Sequence, residues 1–103
     1  MTNLNWVQNW FKSQCNGDWE HGYGIRIETL DNPGWSIAID TSNTKNVLTD
    51  MEWHLIELSD DDWYGYKITN GVYEGSGDPN KLETLIANFR QLIEGDVFKS
   101  VST

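Results

Sequence analysis

The chain has 103 residues, with 16 acidic against 7 basic side chains and a formal net charge of −9. That length suits one domain over residues 1–103, with a single core and no need of staples. A surface so acidic repels nucleic-acid phosphates and anionic lipid, which excludes both as partners, and attracts basic ones. The plain alternative is an acidity that only keeps the chain in solution.

The apolar share is 38% and the aromatic share 13%, so aromatic area must supply much of the core despite a mean hydropathy of −0.58. A single cysteine, Cys15, rules out an internal disulfide. The opening MTNLNWVQNW has neither the basic run nor the apolar stretch of a signal peptide. No apolar run approaches the roughly 20 residues of a membrane span. A cytoplasmic protein is the expectation.

Trp6, Val7, Trp10 and Phe11 fall on one face of a helix over about residues 3–14, which Asn16-Gly17 ends. Tyr23, Ile25, Ile27 and Thr29 alternate with Gly24, Arg26 and Glu28, the signature of a strand with one buried face. Trp35, Ile37 and Ile39 repeat that alternation. The turn Asp31-Asn32-Pro33-Gly34 joins the two as a hairpin, with Pro setting one φ and Gly accepting a positive one. A third strand is predicted near Trp53–Leu58 and a fourth over Trp63–Thr69. Asn70-Gly71 is a turn signal, and Val72–Glu74 reads as a short continuation or a fifth strand.

Asp78 suits an N-cap and Pro79 the first position of a final helix. Leu82, Leu85, Ile86, Phe89, Leu92 and Ile93 follow at helical spacing, Gly95 lies past its end, and a loose tail is expected over 96–103. The fold class is α+β: an antiparallel sheet of about four strands, with an N-terminal and a C-terminal helix on one face, in the order α-β-β-β-β-α.

Several groups could carry chemistry. A reactive thiolate needs a helix N-terminus or a nearby cation, whereas Cys15 falls at a helix C-terminus beside Asp18; packing is the default. Asp18 and Glu20 could form an acid/base pair or, with His21 and the distant His54, ligate a metal, but no spacing fixes three or four ligands together. The segment Gly71–Gly77 lacks the lysine of a phosphate loop. No cofactor is implied. Trp19 and Trp63 could stack on a sugar, although tryptophan in so small a chain mostly fills the core. Two acidic clusters remain. One is Asp18-Trp19-Glu20. The other spans Asp50 to Asp62 without a Lys or Arg and closes on Asp60, Asp61, Asp62, Trp63 and Tyr64. Acids beside large aromatics suit a protein–protein contact, while Ser59–Asp62 also suits a solvated turn.

Four of the six tryptophans fall in WVQNWFKSQCNGDWEHGYGIRIETLDNPGW, residues 6–35, interleaved with Asp18-Trp19-Glu20-His21 and the turn at Asp31–Gly34. This run resembles the opening of the immunity protein 53 family, small bacterial proteins encoded beside polymorphic toxins that they neutralise by binding. Gly75-Ser76-Gly77-Asp78-Pro79-Asn80-Lys81-Leu82 is similar to a second landmark of that family. The resemblance covers about residues 5–94 and is weakest over Thr41–Asp62. It implies a non-enzymatic inhibitor of one cognate toxin. The acidity suggests a basic, nuclease-like toxin domain, because nucleases are often basic to bind phosphates. The partner-binding candidates are Asp18, Trp19, Glu20, Asp60, Asp61, Asp62, Trp63 and Tyr64. The alternatives are a small enzyme using Cys15 or the Asp18/Glu20 pair, and a carbohydrate-binding module using Trp19 and Trp63.

Overall fold

The computed structural model describes the backbone of residues 2–102 and the side chains of residues 2–95. Helix α1 (Asn3–Gln14) and a one-turn helix α2 (Trp19–Gly22) precede strands β1 (Ile25–Leu30), β2 (Gly34–Asp40), β3 (Met51–Ser59), β4 (Asp62–Thr69) and β5 (Val72–Gly77), and helix α3 (Leu82–Ser102) follows. The strands form one antiparallel sheet in the order β1-β2-β5-β4-β3. Five strands rather than four result because Asn70 and Gly71 both take positive φ, at 53° and 79°, and fold β5 back on β4. That is the conformation a two-residue primed turn requires.

The strand period of two assigns the sheet its faces. Trp35, Ile37 and Ile39 of β2, Tyr73 of β5, and Tyr64, Tyr66 and Ile68 of β4 share one face by register. Helices α1 and α3 cover that face, and Val7, Trp10, Ile37, Ile39, Ile68, Tyr73, Leu85, Ile86, Phe89 and Ile93 bury themselves between the layers. Phe89 is fully buried at the centre, edge-on to Trp10 at 5.0 Å and Trp6 at 6.0 Å, and tilted against Tyr73 at 5.3 Å. The buried Tyr73 phenol donates to Leu85 O and accepts from Asn88 Nδ2, both at 3.0 Å. Burial holds that phenol well above its ordinary pKa.

Three local expectations change. Gly34 does not take a positive φ; a Cβ there would strike the Gly77 carbonyl of the neighbouring strand, so close backbone approach explains the glycine. Asp78 and Pro79 do not open α3, which begins at Leu82. Instead they make a turn in which Lys81 N–H donates to Asp78 O, and the Asp78 carboxylate is engaged by Trp63 and Asn80 N–H. The final helix also runs through Gly95. The expected loose tail falls on 96–103, whose side chains lie outside the described residues.

Candidate partner-binding surface

The two acidic clusters sit at opposite ends of the sheet. Trp19 donates its indole N–H to Asp40 O at the close of β2 (3.0 Å), whereas Trp63 is tied to Asp78, beside the start of β2. Strand β2 separates them by roughly 20 Å at about 3.4 Å per residue.

At the first end the side chains are committed to structure. Trp19 is 1% exposed and packs edge-on against Trp10 at 5.7 Å. Its ring therefore belongs to the core, and neither a partner nor a sugar can stack on it in this conformation. Asn16 Oδ1 accepts the Asp18 and Trp19 N–H groups, and the Glu20 carboxylate returns to the Asn16 and Gly17 N–H groups at 2.9 and 2.8 Å. This reciprocal arrangement caps α2 in the manner of a capping box. Hydrogen bonds from Glu20's own backbone N–H and from Asn16 and Gly17 hold its carboxyl below the usual range. Glu20 is thus a cap with its lone pairs engaged, and Asp18 beside it is exposed. Cys15 is exposed at the C-cap of α1, its thiol donating to Phe11 O. Among the described residues no three His, Cys, Asp or Glu side chains converge as a metal site, and no helix is long and apolar enough to cross a membrane.

The second end is different. The β1–β2 turn, the β3–β4 turn and the β5–α3 turn meet there around a hollow of about 300 Å³ lined by Asn32, Pro33, Asp60, Asp61, Trp63 and Asn80, among others. Asp78 forms its floor, 1% exposed. Lys81 bridges Asp78 at 2.9 Å and Asp62 at 2.6 Å. The hydrogen bond from Lys81 holds the Asp78 carboxyl below its ordinary range, and Asp62 followed by Asp78 raise the Lys81 ammonium above its own. Asp62 is therefore already paired. Asp60 and Asp61 are exposed and make no ion pair among the described residues.

Trp63 and Tyr64 do not share a patch, since neighbours in a strand point to opposite faces. Tyr64 faces the helices and packs on the core. Trp63 lies on the uncovered face, opposite Glu57 of β3. On that same face Trp53 lies across Gly65, where any Cβ would strike its indole, and Leu55 stands directly opposite Gly65. Trp53, Leu55 and Leu58 are 48%, 46% and 80% exposed. Sequence reasoning placed β3 but did not single out these residues. Nothing in the sequence says which face of that strand the helices leave open.

The family model for immunity protein 53 matches residues 4–94, nearly the whole chain. The chain belongs to the immunity protein 53 family. Neither a curated protein nor a solved structure matches it. For an immunity protein 53 member the relevant surface is one that grips a toxin. The matched segment takes in both acidic clusters, the uncovered face of β3–β4 and the hollow at its end.

Proposed function

We propose that this immunity protein neutralises a basic, nuclease-like toxin domain in the cytoplasm by binding it through the end of the sheet where Asp60, Asp61 and Trp63 meet. The observation that carries this reading is that Asp60 and Asp61 make no ion pair among the described residues at a hollow whose buried acid, Asp78, is already paired with Lys81, as is the neighbouring Asp62. Exposed acids of this kind raise the encounter rate with a cationic surface, and a half-buried indole beside them adds contact area. An inhibitor presenting carboxylates can occupy the cleft in which a nuclease holds phosphates.

The test is protection. Cells expressing the toxin domain encoded beside this chain are expected to survive when the wild-type chain is co-expressed. Cys15→Ala should protect equally, because the thiol has no part in binding. Asp60→Arg/Asp61→Arg should protect poorly while keeping the wild-type melting temperature. Full protection by the charge-reversed variant would move the interface away from this end, and loss of protection in Cys15→Ala would revive a thiol enzyme.

A further inference from the structure

Strand β3 ends the sheet, pairing with β4 on one side only. It is the longest strand, nine residues, and all but Ile56 are exposed. An edge of that length presents roughly 30 Å of free N–H and C=O groups, a template for another strand. It also carries four of the exposed large apolar side chains: Met51, Trp53, Leu55 and Leu58. By register, Trp53, Leu55 and Glu57 share the uncovered face. The opposite edge, β1, is six residues long and carries Arg26 as well as Glu28.

We propose that an extended segment of the toxin pairs with the free edge of β3 as a sixth strand. Its apolar side chains would lie against Trp53 and Leu55, and its Lys or Arg side chains against Glu57 and the Asp60–Asp61 turn. Charge selects this occupant. From Asp50 to Asp62 the chain has Asp50, Glu52, Glu57, Asp60, Asp61 and Asp62 and no Lys or Arg. A basic strand is attracted along the whole edge. A second copy of this chain is not: both carry a net charge of −9, and antiparallel pairing about Leu55 would set Asp50 of one protomer against Asp60 of its partner. Backbone pairing supplies affinity in such contacts, while alternate side-chain seats supply specificity. Trp53 over Gly65 forms such a seat, because the missing side chain at Gly65 lets the indole lie flat against the sheet.

The inference rests on the toxin-binding reading, and the experiment separates the two. Hydrogen exchange is measured on the free protein and on its mixture with the toxin domain encoded beside it. The β3 amides are expected to slow by at least about tenfold in the complex, with those of β1 unchanged. Leu55→Lys and Leu58→Lys alter exposed side chains and leave the core intact. Each should weaken binding by about tenfold or more by placing a cation where the partner brings its own. A complex that forms with unchanged β3 exchange overturns strand pairing and leaves the toxin-binding reading standing. Failure of the wild-type chain to bind overturns both. Free protein that sediments as a dimer with β3 protected makes a second copy the occupant and likewise overturns the proposal.

Discussion

Asp78 and Trp63 grip each other twice: the Asp78 backbone N–H donates to Trp63 O at 3.1 Å, and the Asp78 carboxylate accepts the Trp63 N–H at 2.9 Å. With Lys81 on the same carboxylate, this couples the start of β4 to the turn before α3 and fixes the floor of the hollow.

A pH dependence follows from that grip. The folded Asp78 carboxyl titrates below its ordinary range, chiefly because Lys81 hydrogen-bonds it. The unfolded chain, with a carboxyl pKa of about 3.9, binds that proton more readily. The stabilisation is therefore full above the unfolded value and is lost as pH falls through the folded one. Asp78→Asn should unfold at lower urea than wild type at pH 7, and the gap should narrow steadily below about pH 4. A gap of constant width would mean the ion pair contributes nothing.

The tryptophans divide by burial. Trp10 at 7% and Trp19 at 1% exposure fill the core, so each change to Ala should cost about 3–5 kcal/mol in denaturant unfolding. Trp10→Phe should cost far less than Trp10→Ala: both delete an indole N–H that is buried without a partner among the described residues, but only Phe keeps an aromatic ring in the core. Trp35 is only partly buried and donates its N–H to Pro79 O. Its truncation should fall below that range.

Two glycines make opposite predictions. Gly34→Ala sets a methyl against the Gly77 carbonyl, and two paired backbones cannot part cheaply. About 1–3 kcal/mol should be lost. Gly65→Ala meets only the half-exposed Trp53 ring, a side chain that can swing into solvent. Its stability should change by less than about 1 kcal/mol, while toxin affinity falls because the seat is disturbed. Equal stability losses in the two variants would mean Trp53 is held as firmly as backbone.

Electrostatic steering should reside in two acids rather than three. Asp60→Asn/Asp61→Asn should lower the association rate with the toxin domain on the order of several-fold at low salt and flatten its salt dependence, with little change in dissociation. Adding Asp62→Asn should slow association little further, since Asp62 is spent on Lys81. Trp63→Ala should act mainly on dissociation. Stopped-flow binding at two ionic strengths reads all three.

Local pattern carried most of the fold. Trp6, Val7 and Trp10 announced α1, and the alternations around Ile27 and Ile37 announced their strands, because burial imposes a period on sequence. The capped turn α2 was missed: it rests on Asn16 and Glu20 trading hydrogen bonds, with no periodic apolar residue beyond Trp19. For the same reason Trp19, beside acids, could be taken as a partner-binding group, although it is core. Asp78 looked like a helix cap because its type suits one; its actual partner, Trp63, lies fifteen residues away and is brought near only by the sheet. The hollow was half legible, through Asp60–Trp63, and half not, since Asn32 and Asn80 reach it by topology alone.

The sheet is two locally connected parts, β1–β2 and the β3–β4–β5 meander, joined where Ile37 meets Gly75 and Ile39 meets Tyr73. Each part can close quickly on its own turn, whereas the join must first span the long connection through 41–50 and all of β3 and β4. Folding speed is then governed by that join. Ile37→Val should slow refolding, whereas Ile27→Ala on the outer strand should mainly hasten unfolding, a difference that the two arms of a chevron plot separate.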